Sequence, residues 1–236
     1  MVKGSNWYEI NRVEDVISPA LVVYPDRIEA NIKMMIQIAG GTDSLRPHIK
    51  THKIAEIINL QLKHGINKFK CATIAEATLL AKCDAPDILL AMQPVGINIH
   101  RFFELMVQYP NSSFSTIVDN EEIILKMNSL ASEKKLPVSL WLDINNGMNR
   151  TGITPNKEAV LLYKKIELLD GIIAQGLHVY DGHIHESDFN LRQQICDKDF
   201  DLVVTLKSRI EQLGIKIKTI VAGGTPTFPI HIKRDN

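Results

Sequence analysis

Short apolar runs alternate with longer amphipathic ones along the whole chain. The short runs are β-branched and mostly apolar on both faces, as strands buried between two layers are. Eight windows predict strands: "ALVVY" (20–24), "LRPHIK" (45–50), "KFKCA" (68–72), "DILLAM" (87–92), "FSTIV" (114–118), "VSLWLDI" (138–144), "AQGLHVY" (174–180) and "KTIVAG" (218–223). The runs between them keep helical spacing. In "PDRIEANIKMMIQIA" the apolar positions Ile28, Ile32, Met35 and Ile36 share one face. Further helices are predicted in "KIAEIINLQLKHG", "IHRFFELMVQY", "NEEIILKMNSLASEKK", "PNKEAVLLYKKIELL" and "DFDLVVTLKSRIEQLG". Several open on Asp, Asn or Pro and close near Gly.

Strand and helix in alternation predict repeated βαβ units on a parallel sheet. A closed (β/α)8 barrel and an open doubly wound sheet both meet that pattern. The polar clusters separate them. "KTHK", "NNGMNRTG", "DGHIH" and "GGTPT" each follow a different strand window. Four clusters on one rim favour the barrel, whose chemistry sits on the loops after its strands.

Composition narrows the partners. Of 236 residues, 45% are hydrophobic, so one sizeable core can be buried. The 27 basic and 27 acidic side chains balance, which gives no footprint for nucleic acid or an anionic membrane surface. Cys71, Cys83 and Cys196 lack zinc-ligand spacing and read as reduced thiols. No apolar run reaches the length of a bilayer span. The first residues, "MVKGSNWYEINRVEDV", hold no signal-peptide core, so a cytoplasmic protein is expected.

The candidate chemistry lies in the four clusters. Lys50 ends a run whose alternate residues would point into a barrel. A desolvated amine there can attack a carbonyl and form a Schiff base; the plain reading is an exposed loop lysine. His48 and His52 have i, i+4 spacing, but Pro47 argues against the continuous helix a shared metal would need. In "AGGTPT", Gly223 and Gly224 with the Thr225 hydroxyl can cradle a phosphate, or form only a turn. Arg150, between two glycines, can hold a carboxylate or face a ring nitrogen. His178 and Tyr180 share one strand face, which suits a flat cofactor or a packed core. His183 and His185 lie beyond that strand and can carry protons near neutral pH.

An amine, a phosphate cradle, an arginine and an aromatic wall together describe a pocket for pyridoxal 5′-phosphate. The stretches "SPALVVYPDRIEANI", "RPHIKTHK", "FKCATIAEA", "GMNRTG", "YDGHIH" and "VAGGTPTFP" closely resemble the D-threonine aldolase / D-serine dehydratase-like enzymes, among the alanine racemase-type pyridoxal-phosphate enzymes. The resemblance runs from about Ile17 to the last residue. It implies a barrel domain over 1–236 with a lead-in segment at 1–24. Lys50 would be the Schiff-base lysine, Gly223, Gly224 and Thr225 the phosphate turn, and Arg150, His178 and Tyr180 the cofactor surround. His183 or His185 would be the acid–base partner.

The resemblance also implies what this chain lacks. Family members continue well past the position of Asn236, into a final barrel strand and a C-terminal β-domain. That domain holds a divalent-metal site built on His with Cys or Asp, so no metal ligand is assigned within 1–236. Seven barrel strands plus the lead-in run 20–24 are then expected, in an open, C-terminally truncated barrel. The implied activity is lysis of a D-amino acid, foremost aldolase cleavage of a β-hydroxy substrate to glycine and an aldehyde. Dehydratase, racemase and non-catalytic cofactor binding are the alternatives. A homodimer is implied for the full-length form.

Overall fold

The computed structural model describes residues 6–234. Six parallel strands form one curled sheet in chain order: β1 (Lys68–Cys71), β2 (Asp87–Leu90), β3 (Ser113–Val118), β4 (Val138–Ile144), β5 (Ile172–Val179) and β6 (Thr219–Ala222). Helices α1 (Pro25–Ala39) and α2 (Ala55–Lys63) precede the sheet. Helices α3 (Ile74–Lys82), α4 (Ile97–Gln108), α5 (Glu121–Lys134), α6 (Lys157–Glu167) and α7 (Phe189–Glu211) connect its strands, and the short α8 (Phe228–His231) follows β6. This is an incomplete α/β barrel.

Two of the eight strand windows are corrected. Residues 20–24 join no ladder, and Leu21, Val22 and Val23 lie exposed. Their apolar, β-branched character predicts a strand, but no strand among the described residues pairs with them. The 45–50 window shrinks to a single bridge, His48 to Lys70, followed by a 3-10 turn over Ile49–Thr51. Pro47 has no N–H to give a ladder, and only its carbonyl is used, by the Lys70 N–H at 2.8 Å. The barrel therefore shows six strands rather than seven among the described residues.

Helix α3 lies in "TIAEATLLAK" and was not among the predicted windows. Its entry is a variant of the capping box in which the carboxylate reaches the residue before the cap. The Thr73 hydroxyl accepts the Glu76 N–H at 3.1 Å, and the Glu76 carboxylate accepts the Ala72 N–H at 2.7 Å. Ala77 and Leu80 then bury completely. Thr73→Ala is expected to cost about 1 kcal/mol in urea denaturation. Helix α7 begins ten residues ahead of its predicted window, at Phe189, because Asp188 caps it through the Leu191 N–H at 2.8 Å.

The two faces of the sheet differ. Outward residues such as Phe69, Ile88, Leu140, Leu142, Leu177 and Val179 are buried beneath the helices in one continuous core. Inward residues are mixed: a small apolar group of Leu89, Ile117 and Trp141, then Lys70, Asp143 and His178 toward the rim. The inward place of His178 depends on a bulge. Ser139 pairs with Ile173, but Trp141 pairs with Gly176 and Asp143 with His178, so β5 holds one extra residue between Ala174 and Gly176. Without it, strand alternation would turn Leu177 and Val179 inward.

Candidate active site

The site is built on the ends of β1, β4, β5 and β6. Lys50 is exposed rather than desolvated, on the 3-10 turn that Ile49 anchors by burying completely. The His48 Nδ1 accepts the Lys50 N–H at 3.2 Å and fixes that turn. Burial, followed by the nearby Lys70 and Lys50 charges, pushes His48 down to about 3, so it stays a neutral acceptor. His52 caps the same segment, taking the Ile54 N–H on its Nδ1 at 3.1 Å. Each of these Nδ1 atoms is thus spent on the backbone.

Tyr180 follows β5 directly, and its ring is the centre of the site. The Lys50 Nζ lies 5.5 Å from the ring centroid, the Lys70 Nζ 5.8 Å and the Arg150 Cζ 5.2 Å. Three cations within that reach of one aromatic ring are held partly by its quadrupole. Glycines make room for the ring. A Cβ on Gly182 would fall 2.3 Å from the Tyr180 hydroxyl, and one on Gly224 would sit 3.3 Å from its Cε2. In the turn after β6 the Gly223 N–H donates to the Val179 carbonyl and the Gly224 N–H to the Thr227 hydroxyl. Thr225 stands exposed at the tip.

Beneath the ring runs a buried chain of hydrogen bonds. The Lys70 ammonium donates to the His178 Nε2 at 3.1 Å, and the His178 Nδ1–H donates to Asp143 Oδ1 at 2.6 Å. These partners assign the tautomer, because an ammonium is donor only and a carboxylate acceptor only. Desolvation, then the Lys70 charge, lowers the His178 pKa, consistent with a neutral ring. Desolvation, helped by Arg46, brings Lys70 down to about 8, while Asp143 opposes that fall. Arg46 itself is held in a fork by Asp87, at 2.6 and 2.7 Å.

The structure thus brings Lys50, Arg150, Tyr180 and Gly224 together, with His178 one step below. The contacts of the other two candidates run elsewhere. His183 Nε2 pairs with Asp199 of α7 at 2.9 Å, and His185 Nδ1 with the His183 carbonyl at 2.8 Å. Lys70 and Asp143 were absent from the predicted set. Their signal was a lone charge inside an apolar strand: Lys70 between Phe69 and Cys71, Asp143 between Leu142 and Ile144. Chemically the arrangement offers amines, an anion-attracting rim and a buried, hydrogen-bonded floor.

Comparison with known proteins agrees with this architecture. The family described as "Alanine racemase, N-terminal domain" matches residues 23–235. A D-threonine aldolase of Arthrobacter sp. is 25% identical over 212 residues, covering 89% of this chain and 55% of the relative. A D-threo-3-hydroxyaspartate dehydratase of Delftia sp. (strain HT23) is 25% identical over 214 residues, covering 89% of this chain and 56% of the relative. The crystal structure of the D-threonine aldolase from Filomicrobium marinum superposes with a TM-score of 0.84 at 26% identity, over 91% of this chain and 58% of that one. The chain spans about half the length of the curated relatives it matches. Because that family model matches residues 23–235, nearly the whole chain, the chain belongs to the alanine racemase N-terminal domain family.

Proposed function

We propose that this chain is the cofactor-bearing barrel of a pyridoxal-phosphate-dependent lyase for D-amino acids. The favoured reaction is D-threonine aldolase-type cleavage of a β-hydroxy D-amino acid to glycine and an aldehyde. The observation that carries it is the Lys50 amine on the face of Tyr180, beside Arg150 and the Gly223–Gly224 turn. The residues present fit the cofactor. A Cβ on Gly223 would strike the His231 ring at 2.8 Å and one on Gly224 would press on Tyr180, so the turn stays bare. Because both glycine N–H groups are engaged within the fold, a phosphate would rely on Thr225 at the tip and on the cationic rim.

Bound pyridoxal phosphate supplies an electron sink that weakens the bonds at the substrate Cα. The chain's own residues do the rest. Lys50 supplies the amine that anchors the cofactor. Arg150 would face the ring nitrogen and keep a proton off it. Tyr180 and His178 fix the wall and floor, and His178 is in turn oriented by Asp143 and Lys70. His183, oriented by Asp199, or the exposed His185 would move the substrate hydroxyl proton. A dehydratase reading stands second, because the dehydratase relative is as similar as the aldolase, at 25% identity.

Reductive trapping tests the reading. The protein is incubated with pyridoxal phosphate, reduced with borohydride and peptide-mapped. The label is expected on Lys50 and is expected to vanish in Lys50→Ala. A label scattered over surface lysines, unchanged in that variant, would refute the proposal. Aldehyde and glycine from D-threonine would then select the aldolase, and pyruvate from D-serine the dehydratase.

A further inference from the structure

Beside the Gly224 turn three different donor side chains converge. Asp181 comes from the loop after β5, Cys196 from α7 and His231 from α8. Asp181 and Cys196 are 1% exposed, and the His231 side chain 8%. Their ligand atoms all lie within 4.8 Å of one another. The His231 Nε2 is 2.7 Å from Asp181 Oδ2 and 3.4 Å from the Cys196 Sγ, and that sulfur is 3.9 Å from Asp181 Oδ2.

We propose that Asp181, Cys196 and His231 form a divalent-cation site of zinc-like chemistry inside the barrel domain. A tetrahedral zinc centre with such ligands has N···O edges of about 3.4 Å and S···N and S···O edges of about 3.6 Å. The three observed separations bracket those values, so shifts of about 0.7 Å or less along each edge would seat the ion. One thiolate, one imidazole and one carboxylate suit a borderline cation better than calcium or magnesium. Three protein ligands leave a fourth position for water or another donor.

The surroundings supply what a ligand set needs from its neighbours. The Thr227 hydroxyl donates to Asp181 Oδ1 at 2.8 Å, which leaves Oδ2 free to ligate. The same hydroxyl accepts the Gly224 N–H at 3.0 Å, so the site is tied directly to the glycine turn. One group opposes the ion. The Arg234 Nε–H donates to the His231 Nδ1 at 3.1 Å, and its Nη2 lies 3.7 Å from the Cys196 sulfur. An imidazole that ligates through Nε2 must carry its proton on Nδ1, where Arg234 now donates. On binding, the imidazole proton therefore moves from Nε2 to Nδ1, the thiol proton leaves to solvent, and Arg234 turns away. Asp197 is placed to receive it, already holding the guanidinium at 2.6 Å.

The inference does not depend on the reading of the Tyr180 rim, and its test needs no turnover. The purified 236-residue chain, freed of metal with chelator, is titrated with cobalt(II). A near-ultraviolet thiolate-to-cobalt band is expected, saturating at one equivalent and displaced by zinc. Cys196→Ser should abolish it with the fold intact by circular dichroism, while Cys71→Ser with Cys83→Ser should leave it unchanged. Arg234→Met should tighten binding about tenfold, the scale on which groups behind metal ligands act. Absence of the band in both the unmodified chain and Arg234→Met, or its survival in Cys196→Ser, would overturn the assignment.

Discussion

Gly176→Ala is expected to destabilise the fold severely, because one methyl group has no place to go. Its Cβ would lie 1.9 Å from the Thr219 carbonyl oxygen and 2.9 Å from the carbonyl carbon. Both are backbone atoms of β6, so no rotamer change relieves the clash. The residue also sits at φ +141°, a conformation L side chains rarely adopt. Relief requires parting β5 from β6, which breaks the ladder that pairs Gly176 with Thr219 and His178 with Val221. The cost is expected to exceed about 4 kcal/mol, beyond the ordinary range for point changes. Gly214→Ala is the control: it shares a positive φ of +80° but meets nothing within 4 Å. It should cost only the left-handed backbone penalty, about 1–2 kcal/mol. Soluble yield and urea midpoints read both. Equal stability of the two variants would show that β5 and β6 are not packed as described.

Asp143→Ala is the second large effect. It removes the acceptor at one end of the Lys70–His178–Asp143 chain and strips a buried ammonium of the carboxylate that stabilises it most, ahead of Asp181. Breaking a buried pair of this kind costs about 3–5 kcal/mol at pH 7. The loss is expected to shrink as pH rises. In the folded protein Lys70 titrates at about 8, below its ordinary 10.5. Below pH 8 both folded and unfolded chains hold the proton, and folding bears the full cost of burying it. Between 8 and 10.5 the unfolded chain binds more protons, so stability rises with pH. In the variant the carboxylate that raised Lys70 is gone, so its folded value drops further and the rise starts at lower pH. Urea midpoints of the two proteins should therefore converge between pH 7 and 9.5. A gap that stays constant over that range would mean that Lys70 is not charged at neutral pH.

The legible part of this protein was its local patterning. "VSLWLDI" is apolar, β-branched and bounded by turn signals, and it folds as β4 over the same seven residues. The run "ALVVY" has the same character yet forms no strand, because a ladder needs a neighbour and none among the described residues pairs with it. The Thr73–Glu76 capping box was the available sign of α3. In the site, Lys50, Arg150 and Gly224 sit in polar clusters at the ends of separate strand windows, and such clusters are visible in one dimension. Lys70 and Asp143 show there only a weaker sign. Each is a single charge inside an apolar strand, and its partner lies far along the chain: Lys70 meets His178 across 108 positions, and Asp143 meets it across 35. The β5 bulge is equally hidden, since "AQGLHV" gives no sign which residue will be skipped.

The strand order bears on how the chain reaches its native form. Every strand lies beside the one that precedes it in the chain, from β1 through β6. Among the described residues no strand pairing therefore waits for a distant segment to return, and the entropy of closing long loops is not spent at once. Each new β-strand and helix can settle on the unit made just before it. Synthesis, which also runs from the N-terminus, would deliver the pieces in the order in which they dock.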